Sequence, residues 1–277
     1  MAAAAAGSAV LVLAGGAAGA SAASGPAAGH APQVGRMLRA PGASTLAVRG
    51  TTKLKATNWS GYAQATKKKG TFTAVKDYWT VPTVSTKPSG DQYCSDWVGV
   101  GGFSEDTLVQ DGTEADNVGG KAKYDAWTEI LPAAEVVIPG LVVKPGDSME
   151  GLVEETKAGT WRMTVFDLTT GKSGGRTVKY SSPGLSAEAI HERPEVGGRL
   201  ATLATTTNVT FNPGLFSSAA PGKPAWKPLL KPASGASLYE ILMVNGGKTI
   251  ASPSAPNSAS KGFAVADGST PPPPPAG

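Results

Sequence analysis

Short stretches whose side chains alternate with a period of two, cut apart by glycine and proline, constrain this chain more than any other feature. In 71–79, Phe72, Ala74, Lys76 and Tyr78 alternate with Thr71, Thr73, Val75, Asp77 and Trp79. In 121–130, Ala122, Tyr124, Ala126, Thr128 and Ile130 face one way, and Lys123, Asp125, Trp127 and Glu129 the other. This is the pattern of a β-strand. Segments 161–168, 204–211 and 238–244 read likewise, and Pro145-Gly146, Gly171-Lys172 and Gly246-Gly247 mark turns. No stretch of ten residues has clean helical periodicity. Gly and Pro total 58 of 277 residues, about a fifth, against an average of roughly an eighth. That much punctuation excludes a helical bundle and predicts an all-β protein, a two-sheet antiparallel β-sandwich. The length suits one large domain of this class.

The ends differ from the body. Met1 to about Ser24 is uncharged and Ala/Gly-rich, with an apolar run at Ala9–Ala14 and a small-residue cleavage pattern at Ala20-Ser21-Ala22. It reads as an export signal, although the usual basic start is missing. Its apolar run is too short to span a membrane. Residues 25–56 read as a disordered leader or propeptide, the body as 57–267, and 268–277 as a proline-rich tail. The expected product is a secreted monomer.

Charge follows the same division. The net +4 arises from Arg36, Arg39, Arg49, Lys53 and Lys55 in the leader, which carries no acid. Residues 58–277 hold 20 bases and 21 acids, and 91–155 alone holds 14 acids against three lysines. A basic leader on an acidic middle does not fit a nucleic-acid-binding body.

Elimination narrows the chemistry. One Cys rules out a disulfide framework and any multi-Cys metal site. The body has a single imidazole, His191, so a three-His zinc site is impossible, and no Gly-x-Ser-x-Gly elbow is present. No metal and no cofactor is expected. Cys94 and His191 could form a thiol dyad, but the simpler reading is a buried small hydrophobe and a partly exposed strand histidine. Val98–Gly102 lacks the ending of a phosphate loop and reads as a turn or bulge. Lys67–Lys69 reads as a solvated hairpin tip. Carboxylates remain. Asp125, Trp127 and Glu129 share one strand face, and Glu188 lies on a later strand-like segment. Such groups suit acid/base catalysis, sugar binding, or simply a solvated outer face.

Seven fragments, in order, carry a resemblance: Asn58-Trp-Ser-Gly-Tyr62, Tyr78-Trp-Thr-Val-Pro82, Ser95-Asp-Trp-Val-Gly99, Leu108-Val-Gln110 with Gly112, Tyr124-Asp-Ala-Trp-Thr-Glu129, Pro145-Gly-Asp147 and Ser186-Ala-Glu188. Together they resemble the eqolisins, the glutamic peptidase family of acid-acting endopeptidases, over about 57–266. The resemblance implies a lectin-like jelly-roll sandwich with polypeptide substrates and a catalytic Gln110/Glu188 pair on its concave face. It also implies substrate-cleft roles for Trp97, Glu114, Asp125, Trp127 and Glu129. The chain departs from the family pattern at Ala189 (usually Trp), Glu114 (usually Asp), Leu131 (usually Tyr) and Gly101 (usually an acid). With crowded carboxylates and a reference Glu pKa of about 4.3, best activity is expected in acid, roughly pH 2–5. The rival expectations are a carbohydrate-binding or glycoside-hydrolysing sandwich using Trp127, Glu129 and Glu188, and an inactive sandwich.

Overall fold

The computed structural model describes residues 46–48, 50–87 and 89–277. The export-like segment and the leader up to residue 45 lie outside the described residues. The described chain has strands and no helix. In chain order the first strands are β1 (Leu46–Val48), β2 (Thr51–Ala56), β3 (Trp59–Ala65), β4 (Ala74–Thr80), β5 (Ser95–Gly101), β6 (Leu108–Val118) and β7 (Lys121–Ile130). Then come β8 (Val136–Val137), β9 (Ser148–Lys157), β10 (Thr160–Asp167), β11 (Lys172–Lys179), β12 (Ser186–Glu192), β13 (Glu195–Val196) and β14 (Arg199–Leu200). The last are β15 (Val209–Phe211), β16 (Leu215–Ser217), β17 (Lys227–Pro228), β18 (Ser237–Asn245), β19 (Lys248–Pro253) and β20 (Phe263–Asp267).

Pairing builds two layers. The front sheet runs β8-β7-β6-β5-β12-β3-β18-β2-β1. The back sheet runs β11-β10-β9-β4, where β4 meets β15 and β16, and continues from β15 through β20 to β19. The β18–β19 hairpin joins the layers. Between them lies one large core. The front sheet contributes Val98, Val109, Ala126, Ala187 and Ala189, and the back sheet Val75, Met149, Met163, Phe211 and Phe263. Alternation is the cause: each strand turns every second side chain inward, where burial of apolar area stabilises at about 25 cal/mol per Å². Polar ties also cross the core. Trp79 Nε1 donates to Thr113 Oγ1 at 2.9 Å. The Thr164 amide of β10 donates to Asp111 Oδ2 at 2.9 Å.

The all-β sandwich stands, with local differences from expectation. Residues 51–56, read as leader, form β2 and pair with β18 as the one parallel ladder. Leu54 and Ala56 are buried there, which gives this stretch a reason to order. Val98–Gly101 is not a turn but part of β5, whose small residues sit flat between β6 and β12. In 204–211 only Val209–Phe211 is a strand. The preceding Thr and Asn residues have little to bury, and Thr206 makes a single bridge to Val84 instead. Lys67–Lys69 is exposed, as a loop tip should be. The proline-rich end is tied back, with Asn212 and Asn257 side-chain amides donating to the Ala276 carbonyl at 3.1 and 3.0 Å.

Candidate active site

Strand register assembles the candidate residues on the outer face of the front sheet. Cross-strand partners share a face, so successive pairings define rows. One row runs Glu129 (β7), Gln110 (β6), Gly99 (β5), Glu188 (β12) and Ala63 (β3). The next runs Trp127, Gly112, Trp97, Ile190 and Gly61. The third runs Asp125, Glu114, Ser95, Glu192 and Trp59. Gln110 and Glu188 are thus two strands apart, about 10 Å at the backbone, with Gly99 between them. A Cβ at Gly99 would lie 2.9 Å from Trp97 Cζ3 and 3.2 Å from Gln110 Cβ. Glycine therefore leaves the floor between the two strand positions free of a side chain. Gly112 does the same for Trp97, since a Cβ there would lie 2.5 Å from Trp97 Cβ.

The polar groups are held but not saturated. Gln110 Nε2 donates to Glu129 Oε2 at 2.5 Å. Both Glu188 oxygens, Gln110 Oε1 and Glu129 Oε1 are buried without a hydrogen-bond partner among the described residues. Buried polar atoms are normally satisfied, so several free acceptors around one glycine mark a place built for a ligand. Burial raises the pKa of Glu188 well above the usual carboxylate value, and the nearby Glu105 adds to this. Burial raises Glu129 too, opposed by the Gln110 bond.

The supporting residues are equally defined. Trp97 stands edge-on to Trp59, with ring centres 4.9 Å apart. Glu192 accepts from Trp97 Nε1 at 2.8 Å and from Asn58 Nδ2 at 3.0 Å. Glu192 has no place among the sequence candidates, although its spacing from Glu188 puts both on one strand face. Glu135 was also missed. It follows a turn, where periodicity carries no signal, and lies against Glu114; burial, then the Glu135 charge, raises the pKa of Glu114, while Glu135 is pushed up to about 8 and Asp116 to about 7, chiefly by burial, the bond to Glu114 opposing the rise at Glu135. Asp125 is exposed at the rim, so it stands apart from the buried group. Trp97, Gln110, Trp127, Glu129 and Glu188 are fully buried together.

On the opposite face, His191 is not partly exposed but buried. Its strand lies between β3 and β5, and its inner face packs on the back layer. Nδ1 lies 2.8 Å from Asp96 Oδ1. Cys94 is buried, as a small hydrophobe would be, yet its Sγ is 3.9 Å from the same Nδ1.

A glycine-floored glutamine and glutamate on the outer face of an all-β sandwich define a candidate hydrolytic centre. The comparisons agree with that class. The family model described as the peptidase A4 family matches residues 57–262, and the chain belongs to that family. Aspergillopepsin-2 of Aspergillus niger is 32% identical over 190 residues, spanning 60% of this chain and 66% of that relative. A crystal structure of scytalido-glutamic peptidase with a transition state analog inhibitor superposes with a TM-score of 0.63 at 21% identity. It covers 76% of this chain and 98% of that one. Aspergilloglutamic peptidase from Aspergillus niger gives a TM-score of 0.53 at 25% identity, covering 64% and 99%.

Proposed function

We propose that this protein is an exported endopeptidase that hydrolyses polypeptides in acid with Gln110 and Glu188. The observation that carries the reading is the Gln110–Gly99–Glu188 row with its unsatisfied polar atoms. A peptide carbonyl is a poor electrophile and water a poor nucleophile, so both need help. Glu188, ionised, holds a water and takes its proton as the water oxygen bonds to the carbonyl carbon. One Gln110 N–H is given to Glu129, which fixes the amide's orientation. The other N–H is free to donate to the developing oxyanion, and Oε1 to accept from the water. The C–N bond then breaks as Glu188 returns the proton to the leaving amine. Trp97 and Trp127 form the flanking wall for substrate side chains.

Burial bears on activation. In the buried state Glu188 is neutral in acid, because its pKa is raised. Exposure to water and substrate brings it back toward the ordinary carboxylate range, where it ionises at mildly acidic pH. We therefore infer that the working form is one in which this face is uncovered. The leader, whose charge is opposite to that of the 91–155 acids, is a covering segment of suitable sign. Cleavage at Thr57 would strip β2 from β18, so processing is expected upstream of Thr51. Mass spectrometry of the secreted product tests this.

Incubation of the purified protein with a denatured protein substrate at pH 3 and at pH 7 tests the activity. Cleavage in acid alone is expected, and a faster rate near pH 8 would overturn it. Glycosidases need two carboxyls, so a sugar hydrolase using Glu129 and Glu188 would tolerate Gln110→Ala, whereas the peptidase would not.

A further inference from the structure

The inner face of β12 carries a second cluster that peptide hydrolysis does not use. Cys94 Sγ, an Asp96 carboxylate oxygen and a His191 ring nitrogen lie within 4.8 Å of one another, all buried. Sγ is 3.9 Å and Asp96 Oδ1 is 2.8 Å from Nδ1. A tetrahedral zinc with ordinary bond lengths separates S from N by about 3.6 Å and N from O by about 3.3 Å. Shifts of a few tenths of an ångström would bring these two pairs to those separations.

The surroundings are acidic. Burial chiefly raises the Cys94 pKa, and the carboxyls of Asp96, Asp116, Asp267 and Glu114 add to it. Of the basic side chains nearby, Arg193 is turned away, its Nε donating to the Thr57 carbonyl at 2.7 Å. A carboxylate also faces the other side of the imidazole, one shift of about 1 Å short of a hydrogen bond. His191 Nε2 is buried without a hydrogen-bond partner among the described residues, and Asp267 Oδ1 stands 4.0 Å from it. Metal-bound histidines commonly give their second N–H to such a carboxylate. Asp267 also lines a cleft of about 560 Å³, shared with Thr202, Leu203, Asn245 and Ile250.

We propose that Cys94, Asp96 and His191 bind a thiophilic divalent cation of the zinc type, with Asp267 orienting the imidazole from outside. The mixed set escapes a search for paired cysteines or histidines, because each residue type occurs there only once. The three donors come from β5, the segment before it, and β12. A bound ion would cross-link the strand that carries Glu188 to its neighbour, three residues from the glutamate and on the opposite face.

The full-length protein, reduced and stripped with a chelator, is titrated with Co²⁺ at pH 7. The chain has a single cysteine. A thiolate-to-cobalt charge-transfer band therefore identifies Cys94 as a ligand in the unmodified protein. The expected result is a band that saturates at one equivalent and is abolished by added Zn²⁺. Cys94→Ser should lose the band, and Asp267→Asn should weaken binding by about 10–100-fold. No band at millimolar Co²⁺, or cobalt bound without the band, overturns the proposal and leaves a buried ion pair beside an inert thiol. Should Cys94→Ser fail to fold, the spectrum of the unmodified protein still decides.

Discussion

The two faces of the front sheet differ in whether a buried acid meets an imidazole. On the inner face Asp96 is met by the His191 imidazole at 2.8 Å, whereas Asp111 there has only backbone donors and a pKa raised by burial. On the outer face Glu129, Glu188 and Glu192 are buried with amide and indole donors or with no donor, and burial raises all three pKa values. The same strands supply both faces, so the difference lies in partners, not in backbone. A paired acid holds structure together. An unpaired buried acid is costly.

The sharpest way to break this contrast is to remove the unpaired acids. Glu188→Gln keeps the shape and removes the base, so cleavage in acid should fall by about 10²–10⁴-fold. Unchanged turnover would return Glu188 to a structural role. Gln110→Ala deletes the oxyanion donor and should cost about 10²–10³ in kcat, read in the same assay.

Stability against pH tests the outer face as a whole. Glu114, Asp116, Glu129, Glu135 and Glu188 have folded-state pKa values above their unfolded values. The folded state then binds protons more tightly, and the stabilisation is complete below the unfolded values near 4. It is lost as pH rises toward the folded values, about 7 for Asp116 and about 8 for Glu135. The melting temperature should therefore drop between pH 4 and pH 8, and a flat or rising profile would contradict the contrast. Glu135→Gln should recover part of the loss at pH 8, about 1–3 kcal/mol, with little change at pH 4. An effect of similar size is expected from Trp97→Phe. It strips one donor from Glu192 and should cost about 1–3 kcal/mol of stability, measured by denaturant unfolding at pH 4, while leaving Asn58 in place.

Much of this was legible before any coordinates. Alternation in 121–130 and 238–244 corresponds to β7 and β18, because a strand's period of two is a local property. The ordered fragments around Gln110, Glu129 and Glu188 led to residues that register then set in one row. Other features were hidden. Residues 51–56 read as leader, since nothing local announces that a strand will find a parallel partner nearly 190 residues later. His191 read as half-exposed because local pattern cannot say which strands will sit in the middle of a sheet. Glu192 and Glu135 were overlooked because their importance depends on Trp97, Asn58 and Glu114, which only pairing brings near.

By itself, then, the sequence determined the all-β class and the family, and singled out Gln110 and Glu188 as candidates, all carried by local periodicity and short motifs. Tertiary structure decided what those groups are worth. It set Gly99 as the gap between Gln110 and Glu188, buried acids without counter-ions on one face, and gathered a cysteine, an aspartate and a histidine on the other. The physical reason is that pairing register and burial are long-range. They fix which side chains meet and how much water each keeps, and those two quantities control hydrogen bonding, protonation and metal affinity.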